Sequence, residues 1–144
     1  MQIKTVRKAL TDLVRGQLPG VPVQRSDENK PVMRPSVKID VLPVSGGAAC
    51  AGARERELDV DIWYYPRDSA RPRDEIDEVI YKLLGALDGG FAAGGVWLLP
   101  DEEAVCHADK DVLVIQFSVS WVESAGEDGE PMETLRYDGE ELTD

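Results

Sequence analysis

Three runs of this chain alternate apolar and polar residues with a period of two. Val37, Ile39 and Val41 alternate with Ser36, Lys38 and Asp40, and Leu58, Val60, Ile62 and Tyr64 with Glu57, Asp59, Asp61 and Trp63. Leu113, Ile115, Phe117, Val119 and Trp121 face one way on a long run from Val112 to Val122. Neighbouring side chains on a strand point to opposite faces, so each run is a half-buried strand with one apolar side. A sheet of such strands needs a second layer over that side.

Two helical stripes can supply the layer. Ile3, Val6, Leu10, Leu13 and Val14 recur at helical spacing among charged residues, which predicts an amphipathic helix over 3–15, stopped by Gly16 and Pro19-Gly20. Ile76, Val79, Ile80, Leu83, Leu84 and Leu87 form the stripe of a second helix. Asp68 or Ser69 would cap it, Asp74 and Glu75 suit the positive end of its dipole, and Gly89-Gly90 supply a left-handed stop. The expected fold class is therefore α+β: an antiparallel or mixed β-sheet packed against two α-helices.

The remaining segments read as connections and short strands. Val21–Arg25 suits an edge strand, where Pro22 is tolerated. Residues 26–35 are a polar loop. Ser45–Ala53 is so poor in large side chains that it reads as a mobile hairpin tip. Gly94-Gly95 lead into a short strand, Val96–Leu99, Pro100 makes a turn, and Ala104–His107 is a further strand. A chain of 144 residues is too short for two well-buried cores, so one domain is expected over 1–123. An acidic, flexible C-terminal tail follows over 124–144, low in apolar content.

That tail dominates the charge. The net charge of −12 comes from 28 acids against 16 bases, and Glu123, Glu127, Asp128, Glu130, Glu133, Asp138, Glu140, Glu141 and Asp144 face only Arg136 as a base. Such a surface repels phosphate backbones and disfavours specific nucleic-acid binding. No apolar run approaches the roughly 20 residues of a bilayer span, and no secretory signal pattern opens the chain, so no membrane role is expected. Cys50 and Cys106 lack metal or redox spacing and read as ordinary reduced thiols.

Little in the sequence points to catalysis. Cys106 and His107 are adjacent on a strand and so point to opposite faces. Nucleophile-elbow, P-loop and dinucleotide-binding glycine patterns do not occur. Asp40, Asp59 and Asp61 define a candidate acidic face, which reads first as a solvated sheet surface and second as a site for Mg²⁺ or acid–base chemistry. No cofactor is expected. The candidate interface residues are Asp27, Glu28, Asn29, Lys30, Met33 and Arg34 on the polar loop, Arg54 and Arg56 beside the small-residue tip, and the aromatic pair Trp63 and Tyr65. Trp97 is a third aromatic residue that alternation does not assign to a core.

The order of these segments resembles that of a known family. An amphipathic first helix precedes the Pro-introduced strand Pro35-Ser-Val-Lys-Ile-Asp-Val41. The charged strand ending Asp61-Ile-Trp-Tyr-Tyr-Pro66 comes next, followed by the helix Glu75–Leu84 and the closing strand Val112–Val122. Over roughly residues 3–123 this resembles the tail terminators of tailed phages and contractile particles, in the small form of Gram-positive prophages. The resemblance implies a ring, usually hexameric, that caps the tail tube, stops tail polymerisation and offers a docking surface to the head–neck connector. Its implied partners are further copies of the chain, the tail tube protein, the neck connector and, in a contractile particle, the sheath. DNA would pass through the ring without specific binding, and the protein would reside in the virion after assembly in the host cytoplasm.

Other readings stay open on the sequence alone. A head-completion or neck connector protein shares the size and assembly behaviour. An acidic DNA mimic fits the charge, although a mimic needs carboxylates fixed at phosphate-like spacing. A metal-dependent enzyme built on Asp40, Asp59 and Asp61 is the third.

Overall fold

A computed structural model describes residues 1–25, 32–50, 52–109 and 111–124. Its elements run in the order α1 (Ile3–Gln17), β1 (Val23–Arg25), β2 (Ser36–Cys50), β3 (Ala53–Tyr65), α2 (Arg73–Asp88), β4 (Phe91–Ala93), β5 (Val96–Leu98), β6 (Val105–Asp109) and β7 (Val112–Ser124). A five-stranded sheet has the order β1-β2-β3-β7-β6, and β4 and β5 form a separate pair. β1 runs parallel to β2, with Val23 opposite Val37 and Arg25 opposite Ile39. β6 is antiparallel to β7, with Val105 opposite Gln116 and Asp109 opposite Val112. The fold is α+β with a mixed sheet, as expected.

By contacts the chain divides into two compact units. Among the described residues, the larger comprises those of Met1–Val44 and Glu57–Ser120, and the smaller those of Ser45–Arg56 together with 121–124. In the larger unit the alternating residues of β2, β3 and β7 are all buried, from Val37 and Val60 at 0% exposure to Phe117 at 7%. Val6, Leu10 and Val14 of α1 and Ile76, Val79, Leu83 and Leu87 of α2 are buried with them. At roughly 1.5–3 kcal/mol per fully buried large aliphatic side chain, this core is the main stabilising term. In the smaller unit Trp121 is buried and donates its indole N–H to Glu123 Oε2 at 2.8 Å, while Arg56 Nε lies 3.4 Å from Glu123 Oε1. The indole hydrogen bond heads the interactions that hold the Glu123 carboxyl below its ordinary range.

Several boundaries differ from expectation for identifiable reasons. α1 continues through Gly16 to Gln17, and the Leu18 N–H donates to Val14 O at 2.8 Å before Pro19 ends the turn. A glycine in the last turn costs about 1 kcal/mol, which the burial of Leu18 outweighs. α2 starts after Pro72 rather than at Asp68 or Ser69, because a proline's fixed φ and missing N–H suit a helix start. Asp68 instead accepts the N–H groups of Ala70 and Arg71 at 3.0 and 3.1 Å and folds the preceding loop.

The small-residue tip is a second difference. Strand backbone extends along β2 to Cys50 and resumes at Ala53, so the turn is confined to the region of Gly52, at φ +81°. Ladder hydrogen bonds come from the backbone and do not need large side chains. The third difference is β4, which pairs antiparallel with β5 through Gly94 and Gly95 at φ +58° and +80°. Two successive positive φ values make the tight hairpin turn whose twist matches the strands. The loop residues 26–31 and the acidic tail over 125–144 lie outside the described residues.

Glu75 ties the end of β3 to α2. Its Oε2 accepts Tyr64 O–H and the Arg67 N–H, both at 2.6 Å, and its Oε1 accepts the Asp68 N–H at 3.3 Å. Burial alone would raise its pKa, but these donors outweigh burial and hold the carboxyl below its ordinary range. Tyr64 is pushed the other way, by burial and by its bond to Glu75.

Two tests follow from these contacts. A carboxyl depressed in the folded state stabilises fully above its unfolded pKa, about 4.3, and the contribution is lost as pH falls through the folded value. Glu75→Gln should therefore cost about 1–3 kcal/mol at pH 7 in urea melts, and the gap to the wild type should narrow below pH 4. An equal gap at pH 7 and pH 3 would show that the charge contributes nothing. The second test uses two glycines of the α2 region. A Cβ at Gly90 (φ +79°) would sit 2.6 Å from Leu98 O, whereas one at Gly85 meets nothing within 4 Å. Thermal melts should show Gly90→Ala destabilised by roughly 1–3 kcal/mol and Gly85→Ala stabilised by about 0.5–1 kcal/mol.

Candidate functional site

Three surfaces of the larger unit carry distinctive chemistry. The first lies where β2 begins and β3 ends. Arg34 donates to Pro66 O at 3.0 Å and to Asp111 Oδ2 at 2.9 Å, and its guanidinium lies 5.9 Å from the Tyr65 ring centroid. The Lys38 ammonium lies at the same distance from that ring. Met33 is exposed, its N–H reaches Gln24 Oε1 at 3.3 Å, and its carbonyl lies 2.6 Å from the buried Ser36 Oγ. The candidate interface residues Met33, Arg34 and Tyr65 thus share one neighbourhood. Trp63, half-buried, follows the same alternation on β3 as Tyr65.

The other candidate residues fall elsewhere. Arg54 and Arg56 belong to the smaller unit, where Arg56 is engaged with Glu123. Asp27, Glu28, Asn29 and Lys30 lie outside the described residues. Trp97, which alternation left unassigned, is exposed with its indole N–H bonded to Gly89 O at 3.1 Å.

The second surface is acidic. Glu57, Asp59, Asp61 and Asp101–Glu103 line a cleft of about 400 Å³ together with Gln116 and Ser118. Ser118 donates to Asp59 at 2.6 Å, Gln116 to Asp61 at 3.3 Å and Ser120 to Asp101 at 2.9 Å. Two of the three residues of the sequence motif are thus brought together: Asp59 and Asp61 share this cleft, whereas Asp40 lines a different groove. Among the described residues, no group of three or more His, Cys, Asp or Glu side chains is placed to hold a metal ion. Cys106 is half-buried, which raises its thiol pKa, and His107 beside it is exposed.

The third surface was not foreseen from the sequence. Lys4, Arg7, Lys8 and Arg15 of α1 line a groove of about 590 Å³, with Val23 and Gln24 of β1 and Ile39–Leu42 of β2 opposite. Its signal was present in the sequence: these bases recur at helical spacing between the apolar positions of the same helix. Among the described residues, no helix is long and apolar enough to cross a membrane.

Among the described residues, these surfaces hold no assembled metal cluster, and what they present is a cationic and aromatic neighbourhood, an acidic cleft and a basic groove. A family model for the phage tail terminator protein matches residues 3–130, and the chain belongs to that family. The family is structural and not enzymatic, and it gives the chain a place in the phage tail. No curated protein matches the sequence. Among solved structures, one titled as the sheath/tube terminator of an extracellular contractile injection system, PVC, in its extended state aligns over 96% of this chain at a TM-score of 0.53 and 14% identity. The present chain spans 63% of that terminator's length, and the likeness is one of fold. Another solved chain aligns over 86% of this one and 96% of its own length, at 14% identity and a TM-score of 0.48.

Arg34 allows a test of whether the first surface is fixed by its own contacts. Arg34→Lys cannot reproduce the two bonds made by one planar fork, so chemical denaturation should show a loss of about 1–2 kcal/mol. A double-mutant cycle with Asp111→Ala should assign about 0.5–1 kcal/mol to the pair. Zero coupling would leave Arg34 free for a partner.

Proposed function

We propose that this tail terminator assembles as a closed ring, six copies in our reading, on the last ring of the tail tube. There it stops further polymerisation and presents a docking surface to the neck connector. The observation that carries the proposal is the family match over residues 3–130, which spans both helices and every strand. Closed rings need a subunit whose faces complement one another around a rotation axis, and the larger unit carries an acidic cleft and a basic groove. The terminator of the contractile injection system is named for both sheath and tube, which supports including the sheath among the partners.

Assignment of the faces follows from charge. The acidic cleft of Glu57, Asp59, Asp61 and Asp101–Glu103 suits the side past which DNA slides, since carboxylates repel phosphate and prevent sticking. Met33, Arg34, Trp63 and Tyr65 suit a contact with protein, as aromatic and arginine side chains are enriched at interfaces. Arg54, Arg56 and the loop residues Asp27–Lys30 are further contact positions in this reading. Assembly takes place in the host cytoplasm, before the tail joins the head.

The test is made on tails rather than on the isolated chain. Depleting the protein during phage production should yield tubes of irregular, excessive length by electron microscopy, and restoring it should return one length. Tubes of normal length that fail to join heads would instead assign the chain to the neck. Light scattering of the purified protein over a concentration series, followed by negative-stain imaging, reads the ring number directly.

A further inference from the structure

The groove on α1 concentrates positive charge on a chain of net charge −12. Among the described residues lining it, Lys4, Arg7, Lys8 and Arg15 are bases, and Asp12 and Asp40 are the acids. Asp12 is engaged with Lys8 at 3.2 Å. No carboxylate among the described residues pairs with Lys4, Arg7 or Arg15. The described ladder between β1 and β2 ends at Ile39, and the groove continues along Asp40–Leu42, with Leu42 about half exposed. The groove therefore offers cations along one wall and strand backbone with an apolar side chain along the other.

The chain itself contains a segment with the matching chemistry. Residues 125–144 carry most of the excess acid, with Arg136 as their single base, and intersperse Met132, Leu135 and Tyr137 among the carboxylates. We propose that the acidic C-terminal segment of one copy docks in the basic groove on α1 of a neighbouring copy. Bodies each carrying a net charge of −12 repel one another, so direct packing of copies is opposed at long range. A contact between a basic patch on one copy and an acidic segment on the next reverses that sign locally. It joins two different surfaces, as the heterologous interface of a ring requires, whereas a two-fold dimer would use one surface twice. The inference rests on the ring reading for its geometry but not for the docking itself.

The test uses the full chain. Equal amounts of ¹⁴N- and ¹⁵N-labelled protein are mixed and treated with a zero-length carbodiimide, which joins lysine amines to carboxylates. Peptides linking Lys4 or Lys8 to an acid of 125–144 should appear, with half of them of mixed isotope. Their yield should drop about fivefold or more in Arg7→Glu/Arg15→Glu, a variant that keeps both lysines, and should fall as salt is raised from about 0.05 to 0.5 M, because exposed charge pairs are screened. Reversing Glu127, Asp128 and Glu130 to Lys in the partner copy should restore mixed assembly with that variant, an outcome that simple misfolding of the variant would not give. Links of single isotope only, or none at the highest soluble concentration, would overturn the proposal. Closed rings seen by microscopy without these links would remove the docking and leave the ring. Mixed-isotope links without rings would do the reverse.

Discussion

Strand β3 lies between β2 and β7, and its contact with β7 is the constraint on which the rest of the larger unit depends. Asp61 meets Gln116 and Asp59 meets Ser118, so residues 55 and 59 positions apart are brought side by side. The partner number falls as the first rises, which makes the two strands antiparallel. The chain between them must leave β3 and return to pair with it within that span. α2, the β4–β5 hairpin and β6 are the path taken, and the Glu75 hydrogen bonds set its first corner. Closing so long a loop costs entropy before any contact rewards it, and the apolar face shared by Val60, Ile62, Ile115 and Phe117 supplies the compensation.

The same pairing separates two kinds of surface. Because side chains alternate along a strand, burying Leu58, Val60, Ile62 and Tyr64 sends Asp59, Asp61, Trp63 and Tyr65 to the opposite face. The carboxylates and the aromatic pair of β3 therefore lie on the face away from the core. The acidic cleft and the Arg34–Tyr65 neighbourhood are thus consequences of one register, and a one-residue slip of β3 would bury the carboxylates and expose the core residues.

What was legible in the sequence was what periodicity encodes. The three half-buried strands and both helical stripes could be read directly, because burial on one face leaves a regular imprint. The features that escaped are set by backbone geometry or by contacts distant in sequence. β4 is three residues long and its signal was the Gly94-Gly95 pair between Phe91–Ala93 and Val96–Leu98, a turn chemistry visible only when both flanks are considered together. The strand along Ser45–Cys50 has no imprint at all, since ladder bonds are indifferent to the small side chains there. Asp68 was read as a helix cap and folds a loop instead, because the choice between these depends on Pro72, four residues on.

Surface chemistry was harder to read than the core for a related reason. Asp40 shares its period with Asp59 and Asp61 in sequence, yet it lines the groove on α1 rather than their cleft, because the position of β2 in the sheet takes it toward the edge held by β1. The basic groove takes one wall from the first helix, Lys4 to Arg15, and the other from β1 and from β2 as far as Leu42, so no local window contains it. Its bases were visible as the polar side of an amphipathic helix, which is usually only a solvated face. They acquire a stronger meaning once the fold sets them, still exposed, along one groove with residues of β1 and β2. An acidic chain that keeps one basic helix face over its own sheet edge has the asymmetry needed for head-to-tail contact between copies, and that asymmetry is a property of the fold that composition alone conceals.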